Sequence, residues 1–195
     1  MLNFLKENSY LIFKMFVNQL GMTMFGLVLS MATSQNSTLF LLTSIFAVLF
    51  YLVLLYTMTW DIGYAEKIRI EGKRLKYKPL KGFLISLCAN IGNIILGILI
   101  TASYYSATTF ITNPVTGSLY PAGPDLSVNI YGVSLSIANL FEGMYSGIIS
   151  TYFLNFPWIY ILITFPAMIT CMLAYIMGVK GKRFTRFLGP DEKRD

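Results

Sequence analysis

The sequence has no histidine, two cysteines and few charges. Without histidine it lacks the commonest general base near neutral pH and the commonest metal ligand. Cys88 and Cys171 both fall in apolar runs, where a cysteine is most simply a reduced, buried small hydrophobe rather than half of a disulfide or a metal pair. There is no Gly-rich phosphate loop, no HExxH, no CxxC and no nucleophile set beside a base. Asp125 and Glu142 stand 17 positions apart across an irregular stretch, so no acid–base dyad is predicted. The chain is expected to be non-enzymatic and to carry no cofactor and no metal.

Charged residues make up 12% of the chain, against about 25% in an ordinary soluble domain. Hydrophobic residues make up 55%, and the mean hydropathy is +0.63. The distribution says more than the mean. No Asp, Glu, Lys or Arg occurs from Met15 to Trp60, from Gly82 to Pro124, or from Gly143 to Val179. A hydrocarbon core about 30 Å thick is crossed by about 20 mainly apolar helical residues. The first gap holds two such spans, 11–31 and 39–60, joined by the short polar turn "ATSQNST". A third span covers 83–103, opened by Gly82. A fourth covers 158–179, with Pro157 just before it and Pro166 inside it, where a kink or a freed carbonyl is expected. The first apolar run carries Asn18 and Gln19, and "SMATSQ" is a poor cleavage site, so this run is read as a retained span rather than a signal peptide.

Lysine and arginine set the expected orientation. The connector 61–81 carries seven of the 15, the tail 180–195 carries six, and Lys6 and Lys14 complete the set. None lies in 32–37 or 104–157. Cytoplasmic loops collect Lys and Arg, so the connector, the tail and the N-terminus are all assigned to the cytoplasm, which requires an even number of crossings. The fold class expected is all-α: a polytopic helical protein of a bacterial cytoplasmic membrane, as a single membrane domain over residues 1–195. It has four transmembrane helices, both termini inside, and an outer segment 104–157 that contains one amphipathic or re-entrant helix. A fifth crossing by 127–153 would leave the basic tail outside.

That outer helix raises the functional question, because Glu142 is the one ionisable acid or base between Leu126 and Val179. At 100° per residue Ile130, Val133, Ile137, Leu140, Phe141, Met144, Ile148 and Tyr152 share one side. Ser136, Asn139, Gly143, Ser146 and Ser150 form a stripe opposite, with Glu142 at its border. Gly143 and Gly147 form a GxxxG that permits close helix contact. Span 3 repeats the theme with Ser86, Asn90, Asn93, Gly97 and Thr101, and span 1 contributes Lys14, Asn18 and Gly21, with Gln19 beside them. Asparagines facing lipid are costly, so these must face protein or a wet cavity. Two readings stand. Glu142, Asn139, Asn90, Asn93 and Asn18 line a polar path with Glu142 as a cation-attracting or proton-binding group, or they hold helices together. Span 2, almost without polar residues, is expected to face lipid.

The connector and tail present Lys73, Arg74, Lys76, Lys78, Lys182, Arg183 and Arg186 for contact with anionic lipid or with a cytoplasmic partner. No base-stacking platform accompanies them, so nucleic acid is not expected. Within "WDIGYAEKIRIEGKRLKYKPLKGFLISLCANIGNIIL", the residues Trp60, Gly63, Arg69, Gly72, Lys73, Leu80, Lys81, Gly82, Ala89 and Asn90 resemble a segment of uncharacterised small polytopic membrane proteins of Gram-positive bacteria. That resemblance spans about a fifth of the chain and implies a lineage rather than an activity. The size also invites comparison with substrate-binding subunits of energy-coupling-factor transporters. Those have six spans, whereas four are read here and span 1 carries no AxxxA face. The functions expected are a small channel or transporter subunit, as a homo-oligomer or in a larger membrane complex, or alternatively a non-catalytic scaffold that recruits partners through its basic segments.

Overall fold

The computed structural model describes residues 2–114 and 117–182. Arg183 and Arg186 of the basic tail lie outside the described residues. Helix α1, Leu2–Thr33, turns tightly into α2, Ser37–Glu71. Asn36 makes the turn by accepting from the backbone N–H groups of Thr38 and Leu39 at 3.1 and 3.3 Å, a side-chain cap on orphan helix donors. The polar heptapeptide read as a hairpin turn is therefore a capped helix start.

Helix α2 does not stop at Trp60 but runs eleven residues further, through half of the expected connector. The stretch "DIGYAEKIRIE" is charged, with three acids and two bases, yet rich in good helix formers, and Lys67 and Glu71 pair across one turn at 3.8 Å. The helix ends where Lys73 adopts a left-handed φ of 54° and the N–H groups of Arg74 and Leu75 close on the Arg69 carbonyl. Helix α2 is the least buried of the long spans, as expected of a lipid-facing helix, but it is not wholly exposed. One stripe (Ser44, Ala47, Tyr51, Leu55, Thr59, Gly63) is buried, while Leu42, Phe46, Leu49 and Val53 are exposed on the other side.

Span 3 also departs from a single helix. It is α3, Lys81–Ala89, and α4, Ile91–Ser106, meeting at 58°. The elbow is at Asn90, whose backbone N–H and side-chain amide both donate to the Ser86 carbonyl, at 3.0 and 2.9 Å. The loop after α4 is not wholly irregular. It holds a small antiparallel hairpin, β1 Phe110–Thr112 and β2 Leu119–Pro121.

The amphipathic helix expected over 127–153 is divided. Helix α5, Leu126–Glu142, ends in a 3-10 turn, Gly143–Tyr145, and α6, Ser146–Tyr152, follows. Tyr131 on α5 stacks near Tyr104 at the far end of α4, ring centroids 5.9 Å apart. Ten residues on, Phe141 meets Phe16 in the first half of α1, at 5.8 Å. Ser146 then bonds Ser30 near the end of α1 at 3.0 Å, and Gly147 N donates to Ser44 Oγ near the start of α2 at 2.9 Å. The segment thus dips to the middle of α1 and comes back. A Cβ on Gly147 would strike the Phe40 carbonyl oxygen, so only glycine permits this contact. The last span is likewise segmented into α7, Ile159–Leu162, and α8, Phe165–Val179. Pro166 sits in the first turn of α8, where its missing N–H costs least.

Helix α8 packs most extensively on α2, with Gly63 and Gly178 back to back. Glu66 ties three helices together: it pairs with Lys81 at the start of α3 and accepts from Tyr175 OH on α8 at 2.6 Å. Around this core a belt of large apolar side chains stays exposed, including Phe13, Val28, Phe46, Leu49, Ile95, Val133, Leu140 and Leu173. Three helical stretches, Phe4–Thr33, Ser37–Glu71 and Ile159–Val179, are long and apolar enough to cross a membrane, and the bent α3–α4 pair makes a fourth if counted as one span. An apolar belt of that extent is unsuited to water and suited to lipid. The protein is mostly helical and built for a membrane.

Candidate functional site

The turn between α5 and α6 is the most polar place in the interior. Ending α5 at Glu142 releases carbonyls that a continuous helix would have bonded. The Phe141 carbonyl is taken up by α1: Thr23 Oγ1 donates to it at 2.7 Å and Gln19 Nε2 at 3.3 Å. Both donors are buried, Thr23 completely. The turn is then fixed on its outward leg by the Ser30 and Ser44 bonds described above.

Glu142 is 4% exposed, and its Oε2 has no hydrogen-bond partner. Neither ion pair found among the described residues involves it. It lies within electrostatic reach of the hydroxyls of Tyr51 on α2, Tyr145 in the turn and Tyr160 on α7. As the last residue of α5 it also sits at the negative end of that helix dipole. A negative charge in this position has no described counter-charge, so the site favours whatever positive species can reach it.

Two cavities flank the turn. One, of about 370 Å³, lies between the arms of the dip on the side of the α1–α2 turn. Asn139 of α5 and Ser146 and Ser150 of α6 line it, together with Tyr104, Tyr131, Phe153 and Tyr160. The β-hairpin closes over one side through Ser118, Leu119 and Tyr120, and Leu119 N donates to Asn155 Oδ1 at 3.0 Å. The other cavity, of about 460 Å³, is apolar and lies among α1, α3 and α4, lined by Phe13, Phe16, Cys88, Asn93, Leu96 and Phe141. Phe141 lines the apolar cavity, and Glu142, next in sequence, lines neither.

The residues predicted to form one seam are not gathered into one path. Asn139 lines the outer cavity, whereas Glu142, three residues on, is buried and lines neither cavity. Asn90 and Asn93 are buried at the α3–α4 elbow and spend their amides on each other and on Ser86, with Asn93 Nδ2 donating to Asn90 Oδ1 at 3.3 Å. These bonds lie within the α3–α4 elbow, and Asn93 also borders the apolar cavity. Asn18 of α1 is half-buried and its amide nitrogen is unpartnered. Gln19, Thr23, Ser30 and Ser44, which anchor the turn, carried no signal beyond being polar residues in apolar spans. Cys88 and Cys171 are free thiols.

The basic residues gather at the opposite end. Arg74, Lys76, Lys78 and Lys81 border a cleft of about 240 Å³ with Phe4, Glu7 and Asn8 at the start of α1. Lys73 is exposed on the same loop, and Lys182 is exposed just past α8, its carbonyl accepting from Trp60 Nε1 at 2.8 Å. No family model matches the chain, and no curated protein or solved structure matches it.

Proposed function

We propose that the protein is a non-enzymatic, transport-related protein of a bacterial cytoplasmic membrane, in which residues 126–152 re-enter from the outer face and carry Glu142 to mid-membrane depth. Four crossings then place both termini and the basic connector in the cytoplasm. The observation that carries this reading is the buried Glu142 at a helix break, its Oε2 without a hydrogen-bond partner. Intramembrane acids without a structural partner mark ion and proton pathways, and irregular backbone at membrane depth is tolerated where it lines a cavity. At 22.0 kDa the chain offers little material for a solitary pathway, so it works as a homo-oligomer or inside a larger complex.

The test is proton movement in liposomes that hold the purified protein and a trapped pH dye, driven by a potassium diffusion potential. Glu142→Gln is expected to lose most of that flux while keeping its helical circular dichroism and melting temperature. Unchanged flux in this variant defeats the reading.

The exposed loop with Lys73, Arg74, Lys76 and Lys78 favours a second role, contact with anionic headgroups or a cytoplasmic partner. Neutralising these four is expected to abolish co-purification of a partner with the fold retained. A complex that survives removes the scaffold alternative.

A further inference from the structure

The lining of the outer cavity narrows what it can hold. Seven aromatic side chains, Phe40, Tyr104, Tyr120, Tyr131, Phe153, Phe156 and Tyr160, converge there from α2, α4, the β-hairpin, α5, the loop after α6 and α7. Their faces carry the negative end of a quadrupole and attract cations that shed water easily. No lysine or arginine lines the cavity, and its remaining polar side chains are uncharged. Glu142 does not itself line the cavity: it ends α5, between Asn139 and Ser146 in sequence, which do line it, and Tyr160 both lines the cavity and lies within electrostatic reach of Glu142.

These features discriminate among ligand classes. A small inorganic cation asks for a cage of oxygens to replace its hydration, and this lining is mostly carbon. An anion meets aromatic faces and a carboxylate. A neutral apolar molecule fills space but leaves Glu142 unmatched. A volume of about 370 Å³ falls in the small-molecule range of about 300–1,000 Å³.

We propose that this cavity binds an organic ammonium ion, held against the seven aromatic side chains and attracted by the charge of Glu142 behind the lining. The proposal rests on the reading of Glu142 as the cation-attracting group of a transport path, and it names the cargo class of that site.

Binding is measured with the purified, folded protein in detergent, by titration calorimetry with benzyltrimethylammonium and with the anionic ring compound benzenesulfonate. Saturable binding of the ammonium alone is expected, weakened about tenfold or more in Glu142→Gln and in Tyr131→Leu. Glu142→Asp, which keeps the charge, is expected to restore binding. Tyr131 is half-buried at the cavity wall, so its replacement keeps the test alive if the Glu142 variant fails to fold. Absence of saturable ammonium binding, equal binding of the sulfonate, or undiminished affinity in both variants overturns the proposal. Proton flux without ammonium binding removes this cargo class and leaves the transport reading standing. Ammonium binding without Glu142-dependent flux does the reverse.

Discussion

Glu142 was marked by its isolation in sequence, and its surroundings explain why such a residue is legible when its neighbours are not. A lone charge in an apolar run of more than fifty residues shows in any composition scan. The residues that hold its turn are ordinary serines, threonines and a glutamine, and only their partners distinguish them. Ser44 is one. Its hydroxyl accepts the Gly147 N–H, so Ser44→Ala leaves a buried donor unpaired at a cost of about 1–3 kcal/mol. Gly147→Val forces a side chain into the Phe40 carbonyl and is expected to cost a similar amount or more, about 1–3 kcal/mol for overpacking. Ser136, exposed on α5 and bonded only within its own helix, provides the control: Ser136→Ala stays within about 0.5 kcal/mol. Thermal unfolding in detergent separates the three. A Ser44 variant that melts with the Ser136 control contradicts the account of the turn.

At the scale of helices, length and apolarity were readable and breaks were not. The apolar stripe from Ile130 to Tyr152 keeps helical spacing straight through Gly143–Tyr145, so periodicity gave no reason to divide it. The break is tertiary, made by two side chains of α1 that capture the Phe141 carbonyl from more than a hundred residues away. The stripe also reverses meaning in lipid. Val133 and Leu140 point outward, while Ser134, Ala138 and Glu142 turn inward. Asn90 is the counterpart in α3–α4. Its two side-chain links, to the Ser86 carbonyl and from Asn93, are each of the kind that contributes about 0.6 kcal/mol between membrane helices. Asn90→Ala should therefore lower stability by about 1 kcal/mol and reduce the 58° bend. Spin labels on α3 and α4 would read that change as a longer distance, and an unaltered distance would assign the elbow to packing instead. Pro166, by contrast, announced its break, because its ring forbids a regular hydrogen bond wherever it stands.

For the molecule as a whole, the asymmetry of charge in the sequence survives folding. Apart from Lys14, part-way along α1, the described lysines and arginines lie toward one end, and the opposite end carries tyrosines, asparagines and the β-hairpin without a described cation. With Cys88 and Cys171 changed to alanine, a single cysteine at Ser150 should react with a membrane-impermeant maleimide in intact cells, and one at Lys78 only after lysis. Equal labelling of both would undo the four-crossing arrangement. The ion pair of Lys81 with Glu66, shared with Tyr175, locks the basic end. Glu66→Gln is expected to cost about 1–3 kcal/mol, less than a fully buried pair because both side chains retain some solvent contact. The same variant should loosen α3 from α8 in hydrogen exchange.

Helix α2 has 35 residues, and at 1.5 Å per residue it measures about 52 Å, well beyond a hydrocarbon slab of about 30 Å. With its start fixed at the Asn36 turn, the surplus emerges on the cationic side as a rigid stem. The loop it bears stands clear of the headgroups or sweeps across them as the helix leans. Gly63 and Gly178 clasp that stem to α8 near its base. A pull or push on the loop therefore acts on a lever whose fulcrum is this glycine contact and whose long arm carries Ser44, the residue that grips the turn beside Glu142.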